Sequence, residues 1–199
     1  MCFRCFFNFV KDLLPQRNQA TCFAVCNATM TVFVESTIKS YAHQGYSPPE
    51  TLEKTNAIIT RAMEDTSFVT VFFCILDTKT GRLAYSSGGH PPALLKRRGG
   101  AIEDLWTECP VVGAFSGLSF RGAETMMDAG DVLLLYTDGA IEARASGGEL
   151  FGQAMLMQAL AAPKLAEEMP QHIFERVIEF TGDSMTDDMA LLAVSLRHS

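Results

Sequence analysis

No apolar run in this sequence approaches the roughly 20 residues that span a bilayer, so no membrane helix is expected. The greasiest stretch, Met1-Cys-Phe-Arg-Cys-Phe-Phe-Asn-Phe-Val10, is short, is broken by Arg4 and Asn8, and lacks a small-residue cleavage site, which argues against a secreted product. Positive charge is also scarce: 16 Lys and Arg stand against 23 Asp and Glu, a net charge of −7. The basic residues are scattered apart from Lys96-Arg97-Arg98, which reads as the solvated end of a hairpin strand, so the electrostatic footprint of a nucleic-acid partner is missing. Internal repeats, low-complexity tracts and linkers are absent too. Among the 6 cysteines, Cys2-x-x-Cys5 with Cys22-x-x-x-Cys26 has the loose outline of a zinc ribbon. The plainer reading places Cys22 and Cys26 in an apolar helical stretch, where buried free thiols are common, and a reducing cytoplasm fits best.

What is present is one core's worth of chain: 199 residues, 48% hydrophobic and 20% charged, enough for one globular domain. Phe23, Cys26, Met30, Phe33, Val34, Ile38 and Tyr41 recur at helical spacing, which predicts a long amphipathic helix from about Cys22 to Ala42. Ser47-Pro48-Pro49-Glu50 has the capping-box arrangement, with Ser47 as N-cap and Pro48 at the first helical position, and opens a second helix to about Ala62.

The apolar stretch 68–76, the stretch 82–87 and Ala93-Leu-Leu-Lys96 read as a three-stranded meander, with strand 68–76 covered on both faces. Between Gly99 and Gly130 the pattern is irregular, with Val111 to Phe115 as an apolar knot and Trp106 as a local anchor. A strand follows over 132–137, then helices from near Glu149 and over 163–180, with Met155 and Met157 as ordinary packing, and a last strand over 189–194. Helices, strands, helices, strand is the order of an α+β sandwich rather than of alternating βαβ units.

The strand Asp131-Val-Leu-Leu-Leu-Tyr-Thr-Asp138-Gly139 ends in an aspartate, and Asp187-Asp188 opens the strand that begins at Met189. A carboxylate at the mouth of a buried strand is costly unless a cation or donor meets it, and two of them suggest a shared divalent cation. If these strands lie antiparallel, the end of one faces the start of the other. Asp138 and Asp187 would then share one sheet edge.

Four ordered motifs carry a resemblance: Leu76-Asp-x3-Gly81-Arg-Leu-x-Tyr85, Gly88-Gly-His-Pro-Pro92, Gly130-Asp-Val-Leu-Leu-Leu-Tyr-Thr-Asp-Gly-x-x-Glu-Ala143 and Asp187-Asp-Met-Ala-Leu191. Together with Asn27 to Asn56 they resemble the SpoIIE/RsbU branch of the metal-dependent protein phosphatases, from about residue 24 onward. The resemblance implies an α/β/β/α sandwich of antiparallel sheets flanked by helices. It also implies hydrolysis of phosphoserine or phosphothreonine by water activated between two Mn2+ or Mg2+ ions. By motif position Asp138 and Asp187 are the expected ligands, Gly139 lets the backbone pass close to the site, and Asp188 is an alternate ligand or a neighbour supporting the ligands. His90 is read as holding its turn rather than as a general acid, and Glu142 and Arg144 as fixing the metal-site loop.

The family brings two further aspartates from its first strands, one after a Gly-Gly pair and one in an Asp-x-x-Gly-x-Gly stretch. Neither motif occurs here, and Asp12 is the one acidic residue ahead of Glu35. The expectation is therefore a domain lacking its first strands, N-terminally truncated or degenerate, with residues 1–20 as a divergent segment and 21–199 as the phosphatase domain. The implied partner is a phosphorylated regulator such as an anti-sigma-factor antagonist, with a homodimer left open. The competing reading is a catalytically impaired pseudophosphatase or fragment that serves as a partner-binding module.

Overall fold

The computed structural model describes residues 5–14, 18–26, 31–62, 68–182 and 188–196. Its chain falls into two compact units, one of residues 4–92 and 106–127, the other of 1–3, 93–105 and 128–199.

The first unit holds a five-stranded antiparallel sheet in the order β1-β2-β3-β4-β7, from Cys5–Leu14, Gln19–Cys26, Thr70–Asp77, Arg82–Gly88 and Gly122–Met126. Two helices belong to it, α1 at Thr31–His43 and α2 at Pro48–Ala62. Val34, Ile38 and Ala42 of α1, four residues apart, form one buried stripe, and with Leu52 and Ile59 of α2 they pack on Phe23, Val25, Val71 and Phe73 of the sheet. Burying each of the larger side chains is worth about 1.5–3 kcal/mol. The Glu50 half of the capping box is in place: its Oε2 accepts both the Ser47 N–H and the Ser47 hydroxyl, at 2.9 and 2.6 Å. On β3 the residues from Val71 to Cys74 are all buried, so both faces of that strand are covered, as its unbroken apolar run predicts.

The early strands are a correction. The chain does not lack them: β1 pairs with β2, and β2 lies in full register with β3 from Gln19↔Asp77 to Cys26↔Thr70. The helical reading from Cys22 fails for a physical reason. Cys22 and Ala24 are buried on one face of β2 and Phe23 and Val25 on the other, so no polar alternation marks the strand. Helix starts only at Thr31.

The second unit holds a four-stranded antiparallel sheet, β6-β5-β8-β9, from Ile102–Leu105, Ala93–Lys96, Val132–Tyr136 and Leu191–Val194. It carries the short α3 at Asp138–Ile141, α4 at Gly152–Leu160 and α5 at Met169–Thr181. Leu134 and Tyr136 of β8 pack with Leu156 and Leu160 of α4 and Ile173 and Val177 of α5. Met155 and Met157 join that cluster as ordinary packing.

The meander is the other correction. β4 pairs with β3 and β7, whereas β5 pairs with β6 and β8 in the other sheet. Gly88 and Gly89 let the chain leave: a Cβ on Gly88 would lie 2.6 Å from Val112 Cγ2, and Gly89 has a φ of +74°. Trp106 is not an anchor, being 56% exposed; Val112, bridged to Val69, and Phe120 are among the buried points of the irregular stretch.

Candidate functional site

The β8 and β9 strands run antiparallel with Tyr136 opposite Leu191, so the end of β8 meets the approach to β9. Their pairing continues past the strands through Thr137. Its N–H donates to Ala190 O at 3.2 Å, its Oγ1 accepts the Ala190 N–H at 3.1 Å, and its hydroxyl lies 3.4 Å from Asp188 O. Thr137 is fully buried and also forms the N-cap of α3, where its side chain makes no capping bond because Oγ1 is committed across the strands. Sequence reasoning missed this clasp; a threonine between a buried strand and Asp-Gly is the signal that was there to read.

Gly139 is buried against the same segment. A Cβ at this position would stand 2.4 Å from Asp188 O and 3.0 Å from Asp188 C, so only glycine admits the backbone of residue 188 here. Asp138 and Asp188 are both exposed at this sheet end, while Thr137, Gly139 and Ala140 are buried. Exposure removes the desolvation argument for a cation: the Asp138 carboxylate is not stranded in the core, and its Oδ1 accepts the Gly139 N–H at 3.0 Å. What recommends the pair is position and chemistry, since two acidic side chains at one sheet end offer the hard oxygen donors that Mg2+ or Mn2+ prefers. Asp187 lies outside the described residues. No group of three or more His, Cys, Asp or Glu able to hold a metal occurs among the described residues, and Asp12 is carried by β1.

Around this end, the Glu142 N–H closes α3 on Asp138 O at 2.8 Å. Its exposed carboxylate makes no hydrogen bond among the described residues, contrary to the expected role. Arg144 does fix a loop, donating to Gly148 O at 3.3 Å, with Arg144 bridged to Leu150. Deeper in the sheet, burial and then the Asp104 carboxylate push the Tyr136 phenol up to about 12, so it stays protonated at any physiological pH. At the start of β8, Asp131 is 2% exposed. Burial pushes its carboxyl up, but the N–H groups of Arg98 and Asp128 and the Arg97 guanidinium outweigh that and hold it below the usual range. Arg97 also pairs with Glu103, so the middle of the basic triplet is an ion-paired brace, not a free charge.

In the other unit, His90 is 6% exposed and sits in its turn with Nδ1 2.9 Å from Pro91 O, while Ser87 Oγ donates to His90 O at 3.2 Å. That contact ties the imidazole to the turn, in keeping with the structural reading of His90. Cys22 and Cys74 are buried free thiols facing each other across β2 and β3, which removes Cys22 from any zinc ribbon; the hydrogen bond to Cys74, and then burial, push the Cys22 thiol well up.

A mixed α+β fold of antiparallel sheets and helices is that of the PP2C-type phosphatase domains. Solved relatives are the SiaA-PP2C domain of Pseudomonas aeruginosa, with a TM-score of 0.81 at 17% identity over 97% of this chain and 80% of that one, and the RsbU and RsbW domains of Rv1364c from Mycobacterium tuberculosis, with a TM-score of 0.80 at 22% identity over 98% of this chain and 56% of that one. These likenesses establish the fold. The chain belongs to the Stage II sporulation protein E (SpoIIE) family, whose model matches residues 25–197.

Among its relatives, Protein IcfG of Synechocystis sp. is 33% identical over 129 residues, 64% of this chain and 20% of that protein. The phosphoserine phosphatase RsbU of Bacillus subtilis is 22% identical over 197 residues, 95% of this chain and 58% of that protein. The chain thus spans less than two thirds of the length of these relatives. The family comprises bacterial PP2C-type serine phosphatases of signalling, and its relatives RsbU and RsbP of Bacillus subtilis are phosphoserine phosphatases. No helix among the described residues is long and apolar enough to cross a membrane.

Proposed function

We propose that this chain is a metal-dependent protein serine/threonine phosphatase of bacterial signalling, its phosphatase domain formed by residues 21–199 together with β1 and the start of β2 from the divergent segment 1–20. The observation that carries the reading is the clasped end of β8 and β9, where Asp138 and Asp188 stand exposed and Gly139 admits the backbone of residue 188. Asp138, Asp187 and Asp188 would hold Mn2+ or Mg2+, and Gly139 and Thr137 would fix the distance between the two segments that bear them. The cation, when bound, supplies Lewis acidity toward the phosphoryl oxygens and lowers the pKa of the attacking water. Water oxygen adds to phosphorus, the bond from phosphorus to the serine or threonine oxygen breaks, and that oxygen takes up a proton. Inorganic phosphate and a free hydroxyl result.

The substrate this reading favours is a phosphorylated regulator protein of the anti-sigma-factor antagonist kind, met in the cytoplasm, with the enzyme acting alone or as a homodimer. A second reading, a pseudophosphatase that binds a partner without turning it over, is favoured by the absence from the sequence of the family's two further aspartate motifs. Phosphate release from a phosphoserine peptide, measured with saturating Mn2+ for the native chain and for Asp138→Asn, separates the two. Release by the native chain alone supports the enzyme. Equal rates, or no release from either, overturn it in favour of the pseudophosphatase.

A further inference from the structure

The helices of the first unit do not cover all of the sheet they pack on. Register places Ile75, Ala84 and Glu124 in one row across β3, β4 and β7, and Gln19 opposite Asp77 one row further along. Beyond Phe73 these rows floor an open trough of about 710 Å³, walled by Tyr46, Pro48 and Pro49 at the start of α2. Its half-buried aliphatic floor is Ile75 and Ala84. The size is that of a ligand site, and the half-open shape suits a length of chain better than an enclosed small molecule.

Its charge is one-sided. Three carboxylates, Glu50, Asp77 and Glu124, line the trough against one guanidinium, Arg82. Arg82 is already spent on Glu124, to which it donates from Nε at 2.8 Å and again from Nη2. The other two carboxylates are anchored by one oxygen each. Asp77 Oδ1 accepts the N–H groups of Lys79 and Thr80 at 2.9 and 3.0 Å, and Glu50 Oε2 accepts both Ser47 bonds. The Thr80 hydroxyl also helps hold the Asp77 carboxylate, while the second oxygen of Glu50 makes no hydrogen bond among the described residues. The same anchoring holds both groups below the usual carboxylate range, Asp77 through Thr80 first and Glu50 through the Ser47 hydroxyl first. Nearby Lys54 rests on the Tyr46 ring, its ammonium 4.3 Å from the centroid, and its charge also reaches Glu50.

We propose that this trough docks an extended cationic segment of a partner protein, a lysine or arginine laying its aliphatic stem on Ile75 and Ala84 and giving its charged head to Asp77 and Glu50. Long basic side chains divide themselves in this way between an apolar floor and a polar rim. The carboxylates are oriented before anything binds, so little ordering is lost on contact. This proposal stands apart from the phosphatase reading, since it uses no residue of the clasped sheet end.

The test is fluorescence anisotropy with a short fluorescein-labelled peptide of alternating lysine and alanine, against its glutamate–alanine counterpart. Asp77→Asn with Glu50→Gln keeps the anchoring acceptor oxygens and removes the charge; Ala84→Trp fills the floor and leaves the charge alone. The control, Glu108→Gln with Glu149→Gln, removes the same charge from exposed positions elsewhere. The native chain is expected to bind the basic peptide, and each trough variant to weaken it by about 10-fold or more, with the control within about twofold. Loss of binding in the control equal to that in the trough pair, full binding by Ala84→Trp, or no binding by the native chain overturns the proposal. Displacement of the peptide by an equal concentration of free spermine overturns it too, in favour of a small polyamine.

Discussion

Gly139 and Asp188 meet so closely that a Cβ on the glycine would lie 2.4 Å from the aspartate's carbonyl oxygen. The contact ties the turn after β8 to the lead-in of β9, and it explains why the residue following Asp138 has no side chain. Gly139→Ala is expected to push the two segments apart, at a cost of about 1–3 kcal/mol in urea unfolding. Metal-dependent phosphatase turnover should fall with it. Native stability and turnover in this variant would show that the approach is not needed.

Metal binding has a readout that does not depend on turnover. Asp138 is exposed, so Asp138→Asn without metal should leave the melting temperature within about 1 °C, as for other exposed substitutions. With Mn2+ at 100 times its dissociation constant, the native chain should gain about 2.7 kcal/mol. The variant should gain far less. Equal stabilisation of both proteins would remove Asp138 from the ligand set.

Asp131 gives a pH dependence whose sign follows from its surroundings. Its carboxyl is held below the usual range by Arg98 N–H, Asp128 N–H and Arg97 despite burial. A depressed carboxylate contributes stability that is present above the unfolded value of about 4 and is lost as pH falls through the lower folded value. Asp131→Asn should therefore cost about 1–3 kcal/mol at neutral pH, part of the brace surviving because Arg97 keeps Glu103. The gap between native chain and variant should narrow below pH of about 4. A gap that stays constant to acid pH would show that the carboxylate charge contributes nothing.

Asn56 joins α2 to the irregular stretch after Trp106. Its Oδ1 accepts the Gly113 N–H at 2.7 Å and its Nδ2 donates to Phe115 O at 2.9 Å. Asn56→Ala leaves both backbone groups without that partner and should cost about 1–3 kcal/mol, with faster amide exchange at Gly113. Unchanged exchange there would mean that the Val69 and Val112 bridge alone holds the segment.

The parts of this fold legible in the sequence are those where one signal had no rival. Ser47 and Glu50 can form one kind of helix start, and the apolar run ending at Tyr136 is too short and too bounded for a helix. β2 was not legible, because Phe23 and Cys22 are buried on opposite faces and the apolar residues mimic a helical stripe. Nor was the destination of β5, since a strand following β4 pairs with its neighbour unless the turn sends it away, and Gly88 against Val112 is a packing fact. At the candidate site, motif spacing located Asp138 and Gly139, while the Thr137 clasp depended on knowing that Ala190 lies opposite.

The chain passes from one compact unit to the other after Pro92, returns after Leu105 and leaves again after Met127. During synthesis the β5 and β6 hairpin must therefore wait for β8, and β4 for β7, each arriving only after an intervening excursion. Closing such distant pairings ahead of their reward makes folding slow and leaves strand edges open meanwhile. No single cut in the chain can release either unit whole.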